Sequence, residues 1–248
     1  MNYCDITKVV IEPTIKSVVE ELVTKRHYSN KWTAATNLYA VYYKDGKHKF
    51  FDEDNLKLIG VVLYGHPVGF RVVKSISEEL ENDDVLELKR LWIEDGYGKN
   101  IESYVISQTL KMLKKDSPQT KVVISYADRN EKHKGIIYRA SNWLYQGFEI
   151  GRLDAFMYRY PNTKEWLTDR AIGERLGTNS LHGVLDKVPN MEYKVKFRKH
   201  RYLYFLCNKR EKKRLIKELK HPLVDYHHHD NDEMIPKVEK KYWELQGK

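Results

Sequence analysis

The stretch Val122 to Phe148 constrains this chain most. It opens with a short apolar run, Val122 to Tyr126, the pattern of a strand buried on both faces. The run ends at Asp128, passes through a polar loop and resumes as a short segment, Lys134 to Asn142, that carries Tyr138. A buried strand with an Asp at its end and a Tyr ten residues on is how α/β enzymes build sites, because ligands gather at the carboxyl ends of such strands. The residues before it complete a βαβ unit. Val85 to Ile93 reads as a strand ending in the turn Asp95-Gly96-Tyr97-Gly98. A helix follows from near Asn100 to about Lys114, with Ile101, Val105, Ile106, Leu110 and Leu113 available for the core. Pro118 lies in the linker to Val122, and a crossover of this kind makes the two strands parallel neighbours.

Upstream, Ile15, Val18, Val19, Leu22 and Val23 follow helical spacing, so Pro13 to Arg26 predicts an amphipathic helix ending at His27-Tyr28-Ser29. Leu38 to Tyr43 and Leu58 to Tyr64 read as strands, with a turn at Asp45-Gly46 between them. Gly147 to Tyr160 supplies further strands, and Pro161-Asn162 marks a boundary. Beyond it, Trp166 to Leu176 reads as helix and Gly177 to Pro189 as loop. Tyr193 to His200 alternates as a strand presenting Lys194, Lys196, Arg198 and His200 on one side, and Lys209 to Lys220 reads as a basic helix. The expected organisation is a catalytic domain over residues 1–161, a basic extension over 162–222 and a polar tail over 223–248.

Charge is informative once it is located. Between Lys194 and Lys220 stand 12 Lys and Arg against two acids, Glu211 and Glu218, leaving 32 basic and 33 acidic residues elsewhere in a chain of net charge +9. The whole excess is one segment, a footprint for a polyanion, with nucleic acid the first candidate. Lys194, Lys196, Arg198, Lys199, Arg201, Lys209, Arg210 and Lys213 are the expected DNA contacts; the competing reading is a solvated helix face. An apolar fraction of 41% and 18 tyrosines point to a folded protein. The longest apolar stretch, Leu58 to Tyr64, is too short to span a bilayer, and the first residues carry no signal pattern. Cys4 and Cys207, far apart, suggest neither a disulfide framework nor a zinc site, so a cytoplasmic location is expected. His227 to His229 with Asp225 and Asp230 offer metal-ligand chemistry, but consecutive loop histidines are more often an exposed tract, and no metal is assigned.

Asp128 and Tyr138 are the leading catalytic candidates. A carboxylate at a strand end orients a partner or accepts a proton, and a phenol protonates a leaving group. Each also has a bland reading, Asp128 as a turn residue and Tyr138 as one packed aromatic among many. Arg90, a cation in an otherwise apolar strand, calls for a carboxylate or substrate partner.

These segments, together with ELKRLWIEDGYGKNIES (Glu87 to Ser103), the HYS triplet (His27 to Ser29) and KHRYLYFLCNKREKKRLIKEL (Lys199 to Leu219), closely resemble the Mom family of phage DNA-modification enzymes, a branch of the GNAT acyltransferase superfamily. The resemblance covers most of the chain, in the family's order. It implies an α/β fold with a mixed sheet, a GNAT-like acyltransferase core carrying a basic C-terminal extension. It further implies catalytic roles for His27, Tyr28, Arg90, Ser103, Asp128 and Tyr138. Gly96, Gly98, Lys99, Asn100 and Ile101 would hold the pyrophosphate of acyl-coenzyme A, although Ile93 stands where the superfamily pattern has Gln or Arg. The implied activity adds a carbamoylmethyl-type group to the exocyclic amine of adenine in phage DNA, in the cytoplasm of a bacterial host, protecting it from restriction. The partner is double-stranded DNA with the adenine flipped out. Two alternatives stay open: a conventional GNAT N-acetyltransferase acting on a protein, tRNA or small-molecule amine, and a non-catalytic nucleic-acid-binding protein on the same fold.

Overall fold

The computed structural model describes residues 3–44, 56–148 and 155–225. Its first strand, Val9–Pro13 (β1), ends at the proline expected to open a helix. The helix starts later, at Lys16–Glu21 (α1), and passes into a π turn over Leu22–Arg26. Val19 and Val23 are buried against Ala40, Val61 and Leu63, as the periodicity requires. Ile15 and Val18, expected in the same stripe, are exposed. Ile15 precedes α1 in an extended conformation, outside the helical period.

β1 pairs antiparallel with Asn37–Lys44 (β2), and β2 with Leu56–Gly65 (β3); the Asp45-Gly46 turn lies outside the described residues. After a short helix, Phe70–Lys74 (α2), comes Val85–Ile93 (β4), antiparallel to β3. Leu63 faces Arg90 but Tyr64 faces Leu88, so Lys89 has no partner on β3. Such a bulge breaks the in–out alternation and re-aims the side chains that follow, Arg90 first.

The helix expected near Asn100 forms over Ile101–Asp116 (α3), and Ile101, Val105, Ile106, Leu110 and Leu113 are all buried. Glu102 in its first turn and Lys114 and Lys115 in its last complement the helix dipole. Val122–Ala127 (β5) follows, parallel to β4 as the βαβ spacing predicts. Their pairing is brief: Val85 with Val122, Leu86 with Val123 and Glu87 with Ile124. Both strands then continue without pairing to each other, β4 to Ile93 and β5 to Ala127.

Ile136–Ala140 (α4) and Leu144–Phe148 (β6) come next. Then three strands, Ala155–Arg159 (β7), Leu167–Thr168 (β8) and Glu192–Lys196 (β9), form a separate sheet in the order β8-β7-β9. Two helices, Asp169–Leu176 (α5) and Leu181–Lys187 (α6), close its inner face. That core holds Phe156, Tyr158, Leu167, Ile172, Val184 and Met191. The segment expected to be loop, Gly177 to Pro189, thus contains α6, capped by Ser180, whose hydroxyl accepts from the Gly183 N–H at 3.2 Å. The basic strand expected over Tyr193 to His200 stops at Lys196. His200 instead opens His200–Phe205 (β10), and Lys209–Lys217 (α7) follows.

β10 lies between β5 and β6, giving a seven-stranded mixed sheet in the order β1-β2-β3-β4-β5-β10-β6. This α/β class is the one expected. The division of the chain differs from the expected one. One compact unit comprises the described residues up to Tyr126, then Gly135–Gly147 and Arg201–Val224; the other comprises Ala127–Lys134 and the described residues from Phe148 to His200, with Asp225. The basic region is therefore no single extension after residue 161. Leu203 and Phe205 of β10 and Leu215 of α7 pack with Val122 and Ile124, so burial of apolar surface ties that region to the first unit. The tail beyond Asp225, with His227 to His229, lies outside the described residues.

Gly96 and Gly98 share a φ of +102, but only Gly98 is crowded: a Cβ there would lie 2.6 Å from the Cys4 nitrogen, whereas nothing stands within 4 Å at Gly96. Gly96→Ala is expected to destabilise by the backbone strain alone, about 1–3 kcal/mol. Gly98→Ala should lose more, because the Tyr3–Cys4 backbone must also shift. Equal urea midpoints for the two variants would show that the N-terminal segment does not pack on the turn.

Candidate functional site

The place where β4 and β5 part is polar and buried. Ser125, fully buried on β5, puts its Oγ 3.2 Å from the Leu88 carbonyl oxygen and 2.8 Å from the Tyr138 hydroxyl. A serine has one proton to give. With that proton on the Leu88 carbonyl, Tyr138 donates to Ser125; with it on the phenol oxygen, the Tyr138 proton is turned elsewhere. Tyr138, 7% exposed on α4, stacks on Tyr202 at 4.8 Å and meets Trp143 edge-on at 5.2 Å. Burial pushes its phenol up to about 12; the Ser125 hydrogen bond acts the other way, while Tyr28 and Glu87 add to the rise. At neutral pH this group is an acid held in its protonated form. Gly135, at φ +69, starts α4 because the Tyr202 hydroxyl occupies the space a side chain would need.

The π turn ends by delivering His27, whose N–H bonds the Leu22 carbonyl at 2.9 Å. π turns often mark functional positions. The imidazole is 4% exposed, and its ring centroid lies 4.3 Å from that of Tyr28. The Ser29 backbone N–H is 3.1 Å from Nδ1 and can only donate, so Nδ1 carries the lone pair and Nε2 the proton in the neutral ring. His27, expected as a base, has Nδ1 engaged by Ser29.

Arg90 has no carboxylate among the described residues. Its Nε and Nη2 donate to the Lys31 carbonyl at 3.4 and 3.3 Å, and Nη1 to the Lys89 carbonyl at 2.7 Å. Backbone acceptors thus satisfy three of its five N–H groups and tie the loop after Tyr28 to β4. Ser103 donates from Oγ to the Asn100 carbonyl at 3.0 Å, a bond within the first turn of α3. Asp128 is 9% exposed, and its carboxylate pairs with Lys199 at 3.1 Å. His27, Tyr28, Arg90, Ser103 and Tyr138 belong to the first unit and Asp128 to the second.

The glycine turn fits a cofactor only in part. Beside Gly98 lies the chain's own N-terminal segment, with the Cys4 N–H donating to the Lys99 carbonyl at 3.0 Å. Ile101 is a buried core residue, and Asn100 enters α3 at φ +68. Gly96 is the open part of the turn. Burial raises both thiols, Cys4 and Cys207, above their ordinary value. Among the described residues no group of three or more His, Cys, Asp or Glu side chains could hold a metal, and no helix is long and apolar enough to cross a membrane.

The basic segment divides into several roles. Arg201, expected on DNA, is 1% exposed and donates from Nη2 to Ser75 Oγ at 3.0 Å, so its side chain is packed inside the fold and not displayed at the surface. It lies beyond the alternating stretch Tyr193 to His200, and on β10 its side chain is buried. Lys199 is committed to Asp128, Arg214 to Glu79 and Lys220 to Glu78. Lys209, Arg210 and Lys213 are exposed on α7. Lys194 is exposed on β9 with its ammonium 4.5 Å from the Trp166 ring centroid. Arg159 covers the same ring at 4.7 Å and pairs with Glu192. Sequence reading missed Ser125, the Lys199–Asp128 pair and the Trp166 contacts. Only the hydroxyl within the apolar run 122–126 was a visible signal.

A family model described as the Mom protein family matches residues 8–226. The chain belongs to that family. A relative, the methylcarbamoylase Mom of Escherichia phage Mu, is 32% identical over 165 residues, which span 65% of this chain and 64% of that protein. The alignment therefore covers slightly less than two thirds of the relative's length. Similar solved structures include Arabidopsis thaliana NAA60 in complex with acetyl-CoA, at 12% identity and a TM-score of 0.43 over 79% of this chain and 98% of that one. Another is the spermidine/spermine N-acetyltransferase SpeG of Vibrio cholerae in complex with manganese ions, at 8% identity and a TM-score of 0.43 over 84% and 97%.

The burial of Arg201 has a direct consequence. Arg201→Ala removes a buried side chain and leaves Ser75 without it, so stability should fall by about 3 kcal/mol. An Arg201→Ala protein that unfolds at the ordinary denaturant midpoint would return this residue to the surface.

Proposed function

We propose that this chain is a DNA-modifying transferase that adds a carbamoylmethyl-type group to the exocyclic amine of adenine and so shields DNA from restriction. Family membership and the likeness to a methylcarbamoylase support the reaction class. The observation that carries the reading is the Tyr138 phenol, buried and protonated where β4 and β5 part.

The amine of adenine is a weak nucleophile, because its lone pair is delocalised into the ring. Forming the new N–C bond therefore needs positioning, removal of one amine proton and charge stabilisation on the departing group. Tyr138 suits the last of these, giving its proton to the leaving group while the hydroxyl of Ser125 holds the phenolate that remains. Arg90 offers its two remaining N–H groups. The base must leave the stack to reach any such site. Lys194, Lys196, Arg198, Lys209, Arg210 and Lys213 are the proposed phosphate contacts. Acyl-coenzyme A is the donor that the superfamily resemblance suggests. Gly96 is the part of the turn open to it.

Expression in a bacterium followed by mass spectrometry of digested DNA nucleosides tests the reaction. An adenine nucleoside heavier by a carbamoylmethyl group is expected. Tyr138→Phe should reduce its level by about 10²–10⁴-fold while the protein stays folded. Unmodified adenine in cells making abundant folded protein would refute the proposal. Unchanged modification by the phenylalanine variant would remove the phenol from the mechanism.

A further inference from the structure

Two segments of the second unit, Asp128-Arg129 and Arg198-Lys199, meet twice. Asp128 pairs with Lys199, and the neighbouring guanidiniums of Arg129 and Arg198 both lie over the Phe148 ring, at 4.6 and 5.1 Å from its centroid. Arg129 is also 5.1 Å from the Phe197 ring, and His200 stacks on Phe148 at 5.2 Å. Two guanidiniums share one phenyl ring, beside the Asp128–Lys199 ion pair.

Arg198 is the informative member. It is half-buried, and its guanidinium lies over the face of Phe148. Among the described residues no carboxylate, carbonyl or hydroxyl accepts from it, and its Nε is buried without a partner. Stacking engages the face of a guanidinium and leaves the N–H donors at its edge unspent. Buried donors without acceptors are rare in native proteins. Arg201, three residues on, is buried and donates from Nη2 to Ser75 Oγ.

A planar fork of donors, held flat by an aromatic ring and accompanied by a second guanidinium, matches the oxygens of a phosphate group. We propose that Arg198, braced by Phe148 and accompanied by Arg129, is a built site for one backbone phosphate of DNA. The proposal rests on the reading of DNA as substrate. Phosphate on a donor of the coenzyme A type has the same chemistry, but the surroundings favour DNA. Lys194 and Lys196, two residues apart, share one side of β9, and Arg198 follows two residues beyond its end. A line of cations suits a chain of phosphates better than a single small ligand.

The test measures binding to two unrelated DNA duplexes across a salt series, and to coenzyme A as the competing probe. Arg198→Ala should weaken binding to both duplexes roughly tenfold. The slope of log affinity against log salt should become shallower by about 0.9. Arg198→Lys keeps the charge but not the fork, so it should keep the slope and recover only part of the affinity. It carries the test if the alanine variant fails to fold. Phe148→Leu should weaken DNA binding several-fold through loss of the brace. Coenzyme A binding should be unchanged throughout. DNA curves that overlap those of the unaltered protein overturn the proposal, and weakened coenzyme A binding with unchanged DNA binding reassigns the phosphate to the donor. Binding needs no turnover, so a protein that binds in this way yet modifies no adenine would contradict the proposed reaction and leave this site standing.

Discussion

The candidate site depends on one interruption: the parallel ladder between β4 and β5 stops after Glu87 and Ile124. A backbone group that leaves a ladder inside a protein must find another partner. Here the Leu88 carbonyl, the first past the last pair, is met by the Ser125 hydroxyl, which also reaches Tyr138. The same break thus creates both a polar opening and the means to hold an acid in it. Its position is enforced from two sides. The bulge at Lys89 re-aims β4 just beyond the break, and β10 inserts beside β5 to bring Tyr202 under Tyr138.

Charge in this chain acts in three ways. Near α7 it is used in pairs, Arg214 with Glu79 and Lys220 with Glu78, exposed contacts of the kind worth less than about 1 kcal/mol each. At Arg201 it is buried beside a hydroxyl and serves the fold. At Lys194 and Arg198 the cations rest on aromatic rings, which hold them in place without neutralising them. Stacked cations keep their donors and their charge for another molecule. A count of Lys and Arg cannot separate these three uses, because the difference lies in what each side chain touches.

Much of the first unit was legible. The five core positions of α3, the parallel strands around it and the glycine turn followed from period and spacing. β10 was hidden because its apolar residues, Tyr202 to Phe205, sit among the cations that drew attention to the segment. The division into units was equally hidden: an insertion between β6 and β10 looks in sequence like an extension after the sheet. Of the site, Tyr138 could be named, but its partner Ser125 could not, since a serine in a buried strand often does no more than bond a nearby carbonyl. The tautomer of His27 and the crowding of Gly98 by Tyr3–Cys4 depend on contacts that no spacing rule encodes.

The central structural claim is that burial in the break keeps Tyr138 a protonated acid, with Ser125 hydrogen-bonded to its hydroxyl. Carbon-13 labelling of the tyrosine ζ position tests it directly, with the Tyr138 signal assigned by its absence from Tyr138→Phe. In the folded protein that signal should stay unchanged through pH 10, the ordinary tyrosine value, and titrate near 12. Ser125→Ala should move it higher still, because the lost hydrogen bond is the one that favours the phenolate. A Tyr138 signal that titrates at 10 and is indifferent to Ser125→Ala would contradict the account.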